Sequence, residues 1–282
     1  MSASPSSSVQ AARKAVADRL REIRRDANLT AKDVADRTGW YKSKVSRLEN
    51  AVTPPSDDDI RAWCRACEAD GMAADLIAAS RSADSAYVEW RRLQRTGLRR
   101  LQESYVPLFE RTETFRIYCS NVIPGLLQTE GYATALLGSI AAFRGTPDDV
   151  TDAVAARIER SRVIREGNHR FALLVEEAVL RHRVGGAEVM AGQLGYLLSV
   201  MAFPSVSLGV IPFSADRRMW MIETFSVYDK KRAQVETLTA QVNVTAPSEV
   251  DQYLKAFAKF SKLAVFGSDA RSLITSAIDA LE

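Results

Sequence analysis

Histidine is nearly missing from these 282 residues, with two, and cysteine is scarce, with three. Cys64, Cys67 and Cys119 cannot build a disulfide framework, so a reducing cytoplasm is expected. His169 and His182 stand 13 apart with no nucleophile motif, Gly-rich phosphate loop or metal spacing around them. Neither an enzyme nor a cofactor is expected. Cys64 and Cys67 spell C-x-x-C, but no second pair exists and both fall on an apolar helical stripe beside Trp63. They read as buried small hydrophobes.

Long hydrophobic runs are missing too. The segment from Val189 to Ala215 carries no charge, yet Gly192, Gly195, Pro204, Gly209 and Pro212 interrupt it. Its period changes from helical (Met190, Leu194, Leu197, Leu198, Met201) to alternating (Val206, Leu208, Val210). That predicts a buried helix, a proline turn and a core strand instead of a membrane span. The start, "MSASPSSSVQ", lacks the basic and apolar regions of a signal peptide.

Charge of one sign is unevenly placed. Residues 1–53 hold 11 Lys+Arg against 6 Asp+Glu, and residues 54–282 hold 27 against 29. A basic excess at one end suggests a polyanion partner for that end. It coincides with two short helical patterns. Thr30 is a sound N-cap for a helix to Thr38 that buries Val34 and Ala35, Gly39 supplies a turn, and Lys42 to Asn50 forms a helix burying Val45 and Leu48. A helix-turn-helix needs these parts: a small residue at the turn, apolar residues locking the angle, and donors on the second helix for base edges and phosphates. Lys42, Ser43, Lys44, Ser46 and Arg47 supply the donors, and Thr30 and Lys32 on the first helix join them as DNA-binding candidates. Arg or Lys to guanine is the commonest specific base contact.

Residues 1–8 look like a disordered tail, 9–80 an all-helical DNA-binding domain, 81–113 a helical connector and 114–282 an α+β regulatory or interaction domain. In the connector, "WRRLQRTGLRR" reads as a solvated helix face that buries Trp90, Leu93, Leu98 and Leu101, ahead of a second backbone contact to DNA. Beyond it come a strand at Phe115–Tyr118, a Pro124-Gly125 turn with a helix near Thr129, a charged helix from Val150 to Glu166, and a buried strand at Phe171–Val175. A hairpin pairs Phe225–Tyr228 with Gln234–Thr237, and two helices close the chain, Ser248–Phe266 and Asp269–Leu281 capped by Ser268. Glu177, where a strand hands over to a helix, is expected to meet that helix's amides. Arg157 and Arg160, three apart on one helix, are candidates to pair with it, as a structural ion pair or as ligand or partner contacts.

"LTAKDVADRTGWYKSKVSRLENA" resembles the xenobiotic-response-element type of helix-turn-helix regulator, with phage-repressor-like domains, through Leu29-Thr30, Val34-Ala35, Gly39, Val45-Ser46-Arg47, Leu48 and Glu49-Asn50. The resemblance implies that Lys42, Ser43 and Arg47 read bases, that Lys44 and Ser46 touch phosphates, and that Glu49 is structural. Two positions depart from the pattern: Ala31 replaces a glutamine that often holds a phosphate, and Ala51 replaces a glycine. "VIPGLLQTEGYATALL", "LVEEAVLRHRVGG", "QLGYLL" and "VSLGVIPF" resemble the large C-terminal domain of many actinobacterial regulators, often labelled antitoxin-like. Together they imply a cytoplasmic regulator, nucleoid-associated when bound to double-stranded DNA, acting as a homodimer. One alternative is an antitoxin-like module that binds a small partner protein encoded nearby; another is a ligand-gated one-component regulator.

Overall fold

The computed structural model describes residues 5–82 and 87–281, with side chains described for 13–81, 90 and 93–281. The chain divides into two compact units, residues 1–87 with 243–250, and residues 88–242 with 251–282.

The first unit is helical: α1 (Pro5–Asp26), α2 (Ala31–Thr38), α3 (Lys42–Glu49), α4 (Asp57–Ala66) and α5 (Ala73–Ser82). Of the tail expected over 1–8, residues 1–4 lie outside the described residues, and 5–8 form the first turn of α1. Proline at the first helical position is preorganised for that start and lacks only an N–H that has no intrahelical partner. Leu20, Ile23, Val34, Ala35, Val45, Leu48, Ile60, Trp63, Cys64 and Cys67 meet in one core. Each buried large aliphatic or aromatic side chain here contributes about 1.5–3 kcal/mol. Trp63 also donates its indole N–H to the Leu20 carbonyl at 3.0 Å, which ties α4 to α1.

The larger unit begins with the expected connector. Strand β1 (Tyr87–Glu89) is followed by α6 (Trp90–Leu93), α7 (Arg99–Ser104) and α8 (Val106–Arg111). These pieces are not a linker. Trp90, Leu101, Tyr105, Leu108 and Phe109 belong to the unit's main core, and Trp90 donates to the Thr237 carbonyl at 2.8 Å. Burial of so many large side chains outweighs the polar look of the segment. Arg95, Arg99 and Arg100 remain on its solvated face. The helix breaks at Gly97 (φ 102), where a Cβ would lie 2.1 Å from an Asp149 oxygen. That carboxylate accepts the Leu98 and Arg99 N–H groups at 2.8 and 2.9 Å and so caps α7.

The remaining elements are β2 (Thr114–Cys119), α9 (Glu130–Arg144), α10 (Val150–Arg160), β3 (Arg170–Glu176), α11 (Glu177–Arg181), α12 (Ala187–Val200), β4 (Val206–Ile211), β5 (Phe225–Tyr228), β6 (Arg232–Glu236), β7 (Ala240–Val244), α13 (Pro247–Ser261) and α14 (Gly267–Asp279). The described strands form one mixed sheet in the order β1-β7-β6-β5-β2-β3-β4. β2, β3 and β4 run parallel, joined by helical crossovers, and β5 pairs antiparallel with β2 and β6. β3 is nearly all apolar because helices cover both faces of the parallel part. On one face Phe115 stacks on Phe171 at 4.7 Å; on the other Tyr118 stacks on Phe260 of α13 at 4.2 Å. The segment 243–250 groups with the helical unit, where the Ser248 N–H reaches Asp75 at 3.1 Å.

Several expected bounds shift; the second hairpin strand, expected at Gln234–Thr237, runs over Arg232–Glu236. The helix from Val150 stops at Arg160 and continues as a 3-10 turn (Ser161–Ile164), because the Ser161 hydroxyl donates back to the Arg157 carbonyl at 2.8 Å. α13 ends at Ser261, five residues early, and α14 starts at Gly267 with Phe266 in the cap position instead of Ser268. Among the described residues no helix is long and apolar enough to cross a membrane.

Candidate nucleic-acid interface

Two caps set the helix-turn-helix. Thr30 and Asp33 form a capping box: the Thr30 hydroxyl accepts the Asp33 N–H, while Asp33 receives the Thr30 N–H at 2.7 Å and its hydroxyl at 2.6 Å. Those bonds hold the Asp33 carboxyl below its usual range. Both Thr30 donors are therefore engaged within the fold. At the other end of α2, Gly39 adopts φ 72 and returns its N–H to Ala35. A side chain at this φ is strained, so the turn depends on glycine.

α3 has two distinct faces. Val45, Leu48 and Glu49 are buried, whereas Lys42, Ser43, Ser46 and Arg47 are exposed. Residues 42 and 46, and 43 and 47, are i,i+4 neighbours, so the four form one contiguous stripe. No side chain caps the N-terminus of α3, where the Lys44 N–H is taken by the Tyr41 carbonyl at 2.8 Å. Tyr41, immediately before the helix, is 85% exposed. It is a contact candidate that the sequence left undistinguished from Trp40. Trp40 instead turns inward, 6.4 Å from the Trp63 ring. Lys32 is exposed on α2.

Lys44 departs from the expected set. Its ammonium is 2.6 Å from Asp59 and 4.1 Å above the Trp40 ring, so its charge is largely used within the domain. Burial opposes ionisation of Asp59, but Lys44 and the Ser56 amide and hydroxyl outweigh it and hold the carboxyl below its usual range. Ser46 is exposed, and its carbonyl accepts the Asn50 amide at 2.8 Å.

The buried end of α3 is held by arginines of α1. Glu49 receives Arg24 Nε at 2.6 Å and Nη2 at 3.2 Å, and its carbonyl receives Arg21 at 2.6 Å. Two residues beyond Glu49, Ala51, the position where the resemblance leads one to expect glycine, sits at φ 54. That is the left-handed region glycine favours.

The candidates of the larger unit do not come together as expected. Glu177 pairs with Arg181 of its own helix at 2.8 Å and accepts the Phe213 N–H at 2.9 Å. Arg157 donates instead to Gln102 at 3.0 Å and Gln128 at 2.5 Å. Arg160 lies over the rings of Tyr105 and Phe109. The reason is directional: the Arg157/Arg160 face of α10 looks toward α7 and α8, whereas Glu177 is satisfied by its own turn and the exit of β4. The buried acid that sequence reading missed is Glu176, which accepts the Tyr118 hydroxyl at 2.8 Å and Arg217 Nη1 at 3.0 Å. In sequence it stands beside Glu177, and nothing local marks which of the two acids turns into the core. His169 donates to the Thr112 carbonyl at 2.7 Å, and no acid–histidine cluster suited to a metal occurs among the described residues.

Two family models match separate stretches of the chain. A model described as "Helix-turn-helix domain" matches residues 15–76, spanning the caps, the turn and α3. No curated protein and no solved structure matches the chain. A second model, "Domain of unknown function (DUF5753)", matches residues 102–276, more than half of the chain. The chain therefore belongs to the DUF5753 family, with a helix-turn-helix domain of the kind found in DNA-binding regulators in front of it.

Proposed function

We propose that this protein is a sequence-specific, non-catalytic transcriptional regulator of the xenobiotic-response-element type that reads the DNA major groove with α3. The observation that carries this is the exposed stripe of Lys42, Ser43, Ser46 and Arg47 on a helix whose other face is locked into the core. Lys42, Ser43 and Arg47 reach base edges, Ser46 and Lys32 contact phosphates, and Lys44 chiefly braces α3 against α4. A single eight-residue reading helix offers few contacts. A homodimer on half-sites about 34–36 Å apart supplies the rest. The protein acts in the cytoplasm, on the nucleoid when bound, and the larger unit regulates it.

Mobility-shift titrations on a selected operator test the reading. Lys42→Ala and Arg47→Ala each cost about 1–3 kcal/mol of discrimination between cognate and mismatched sites. Lys32→Ala weakens both equally and lowers the salt slope by about 1. Unchanged specificity in Lys42→Ala and Arg47→Ala overturns it.

A second reading, an antitoxin-like module for a small partner protein, is favoured by one observation. Phe213, Trp220 and Met221 are 62%, 76% and 54% exposed between β4 and β5. Exposed large apolar side chains on one connection are candidates for an interaction site. Co-purification with the product of a small neighbouring gene, lost in Trp220→Ser, tests it.

A further inference from the structure

The larger unit holds a cavity of about 260 Å³ between α7, α9, α10 and the sheet. That is close to the lower end of the roughly 300–1,000 Å³ found for small-molecule sites. Arg144, Arg157 and Arg160 line it, against one carboxylate, Glu236. Among the described residues none of the three arginines forms an ion pair. Arg144 covers the Trp90 ring at 4.7 Å, and Arg157 bonds only neutral glutamine amides.

Arg160 is the sharpest case. It is 9% exposed, and its Nε and Nη1 have no hydrogen-bond partner. Across the same cavity the buried Gln94 Oε1 also lacks a partner. A buried charge with open donors is costly, and folded proteins rarely leave one without reason. Stacking on Tyr105 and Phe109 offsets part of that cost without filling the donors.

We propose that this cavity binds a small organic carboxylate with a flat apolar body. The acid group takes the open donors of Arg160 and the charge of Arg157. The body lies against the rings of Tyr105, Phe109 and Tyr228, and a donor on the ligand meets Gln94 Oε1. Glu236 offsets one of the three arginines, and the ring lining argues for an organic acid over inorganic phosphate. The inference rests on the proposed regulatory role of the larger unit only for its consequence, not for binding itself.

The full chain is titrated with benzoate, phenylacetate, phenyl phosphate, inorganic phosphate and the neutral benzamide, by melting temperature and calorimetry at matched ionic strength. Benzoate or phenylacetate raises the melting temperature by about 3–6 °C near 100-fold Kd. Benzamide and inorganic phosphate leave it unchanged. Arg160→Met melts no lower than wild type without ligand, because it removes an unpartnered buried charge, and loses at least tenfold in affinity. Arg160→Lys, which keeps the charge, shows the same loss and serves if Arg160→Met does not fold. No shift with either carboxylate overturns the site, as does an equal shift in both variants or with inorganic phosphate. Operator affinity with and without benzoate reads the consequence separately: benzoate bound with operator affinity unchanged refutes gating and leaves the site standing.

Discussion

Glu49 clasps Arg24 side-on, with Nε at 2.6 Å and Nη2 at 3.2 Å, across 25 residues of sequence. The carboxylate is 9% exposed and the guanidinium 13%. The pair fixes the last turn of α3 to α1 while the opposite face of α3 stays open.

Removing one partner strands the other charge, which costs about 3–5 kcal/mol for a buried pair. Glu49→Ala therefore loses about 3 kcal/mol of protection at α3 in native-state hydrogen exchange. Glu49→Gln, which keeps an acceptor, loses less. Equal protection in Glu49→Ala and wild type would mean that the pair does not hold the helix.

Ala51 at φ 54 is a residue in the wrong conformation for its type. The left-handed region costs a non-glycine residue about 1–2 kcal/mol, and glycine returns about 0.5–1 kcal/mol of that in backbone entropy. Ala51→Gly is expected to stabilise the helical unit by about 0.5–1 kcal/mol, a rise of about 2–6 °C in its calorimetric transition. A lowered transition would show that the turn is not strained.

Asp59 gives the helical unit an acid limit. Its carboxyl lies lower in the fold than the ordinary aspartate value of about 3.9, Lys44 outweighing burial. Stability from this group is therefore complete above about pH 4 and is lost as pH falls through the depressed native value. Lys44→Met removes the main lowering partner. Its acid unfolding, followed by near-UV circular dichroism, begins at a higher pH than in wild type. Superimposable acid limbs would sink the assignment.

The three cysteines are free and buried. Burial, then the neighbouring Cys67 and Asp70, pushes the Cys64 thiol up to about 11, and burial raises Cys67 and Cys119 as well. The thiolate is the reactive form. An aromatic disulfide reagent at pH 8 is expected to titrate no thiol in the folded protein and three in denaturant. A fast native phase would point to an exposed thiol.

Local chemistry alone determined the helical unit's pattern. Thr30, Gly39 and Ser56 mark caps and a turn through bonds to residues a few positions away, and the Ile60, Trp63, Cys64 stripe is a 3.6-residue period. The parallel strand β3 was legible for the same reason, as an apolar run too short for a helix. β1 and β7 were not legible: three and five residues are too few to show a period, and only their neighbours in the sheet make them strands. Partners were the second gap. Lys44 looked available for a phosphate until Asp59, 15 residues away, came within 2.6 Å. Arg157, Arg160 and Glu177 looked like one cluster, because sequence spacing shows which residues share an element and not which way that element faces. The sequence by itself thus determined where α3 of the helix-turn-helix lies and which polar residues it carries. Tertiary packing alone decided which of them remain free, since a side chain's availability depends on charges and rings brought near by distant parts of the chain.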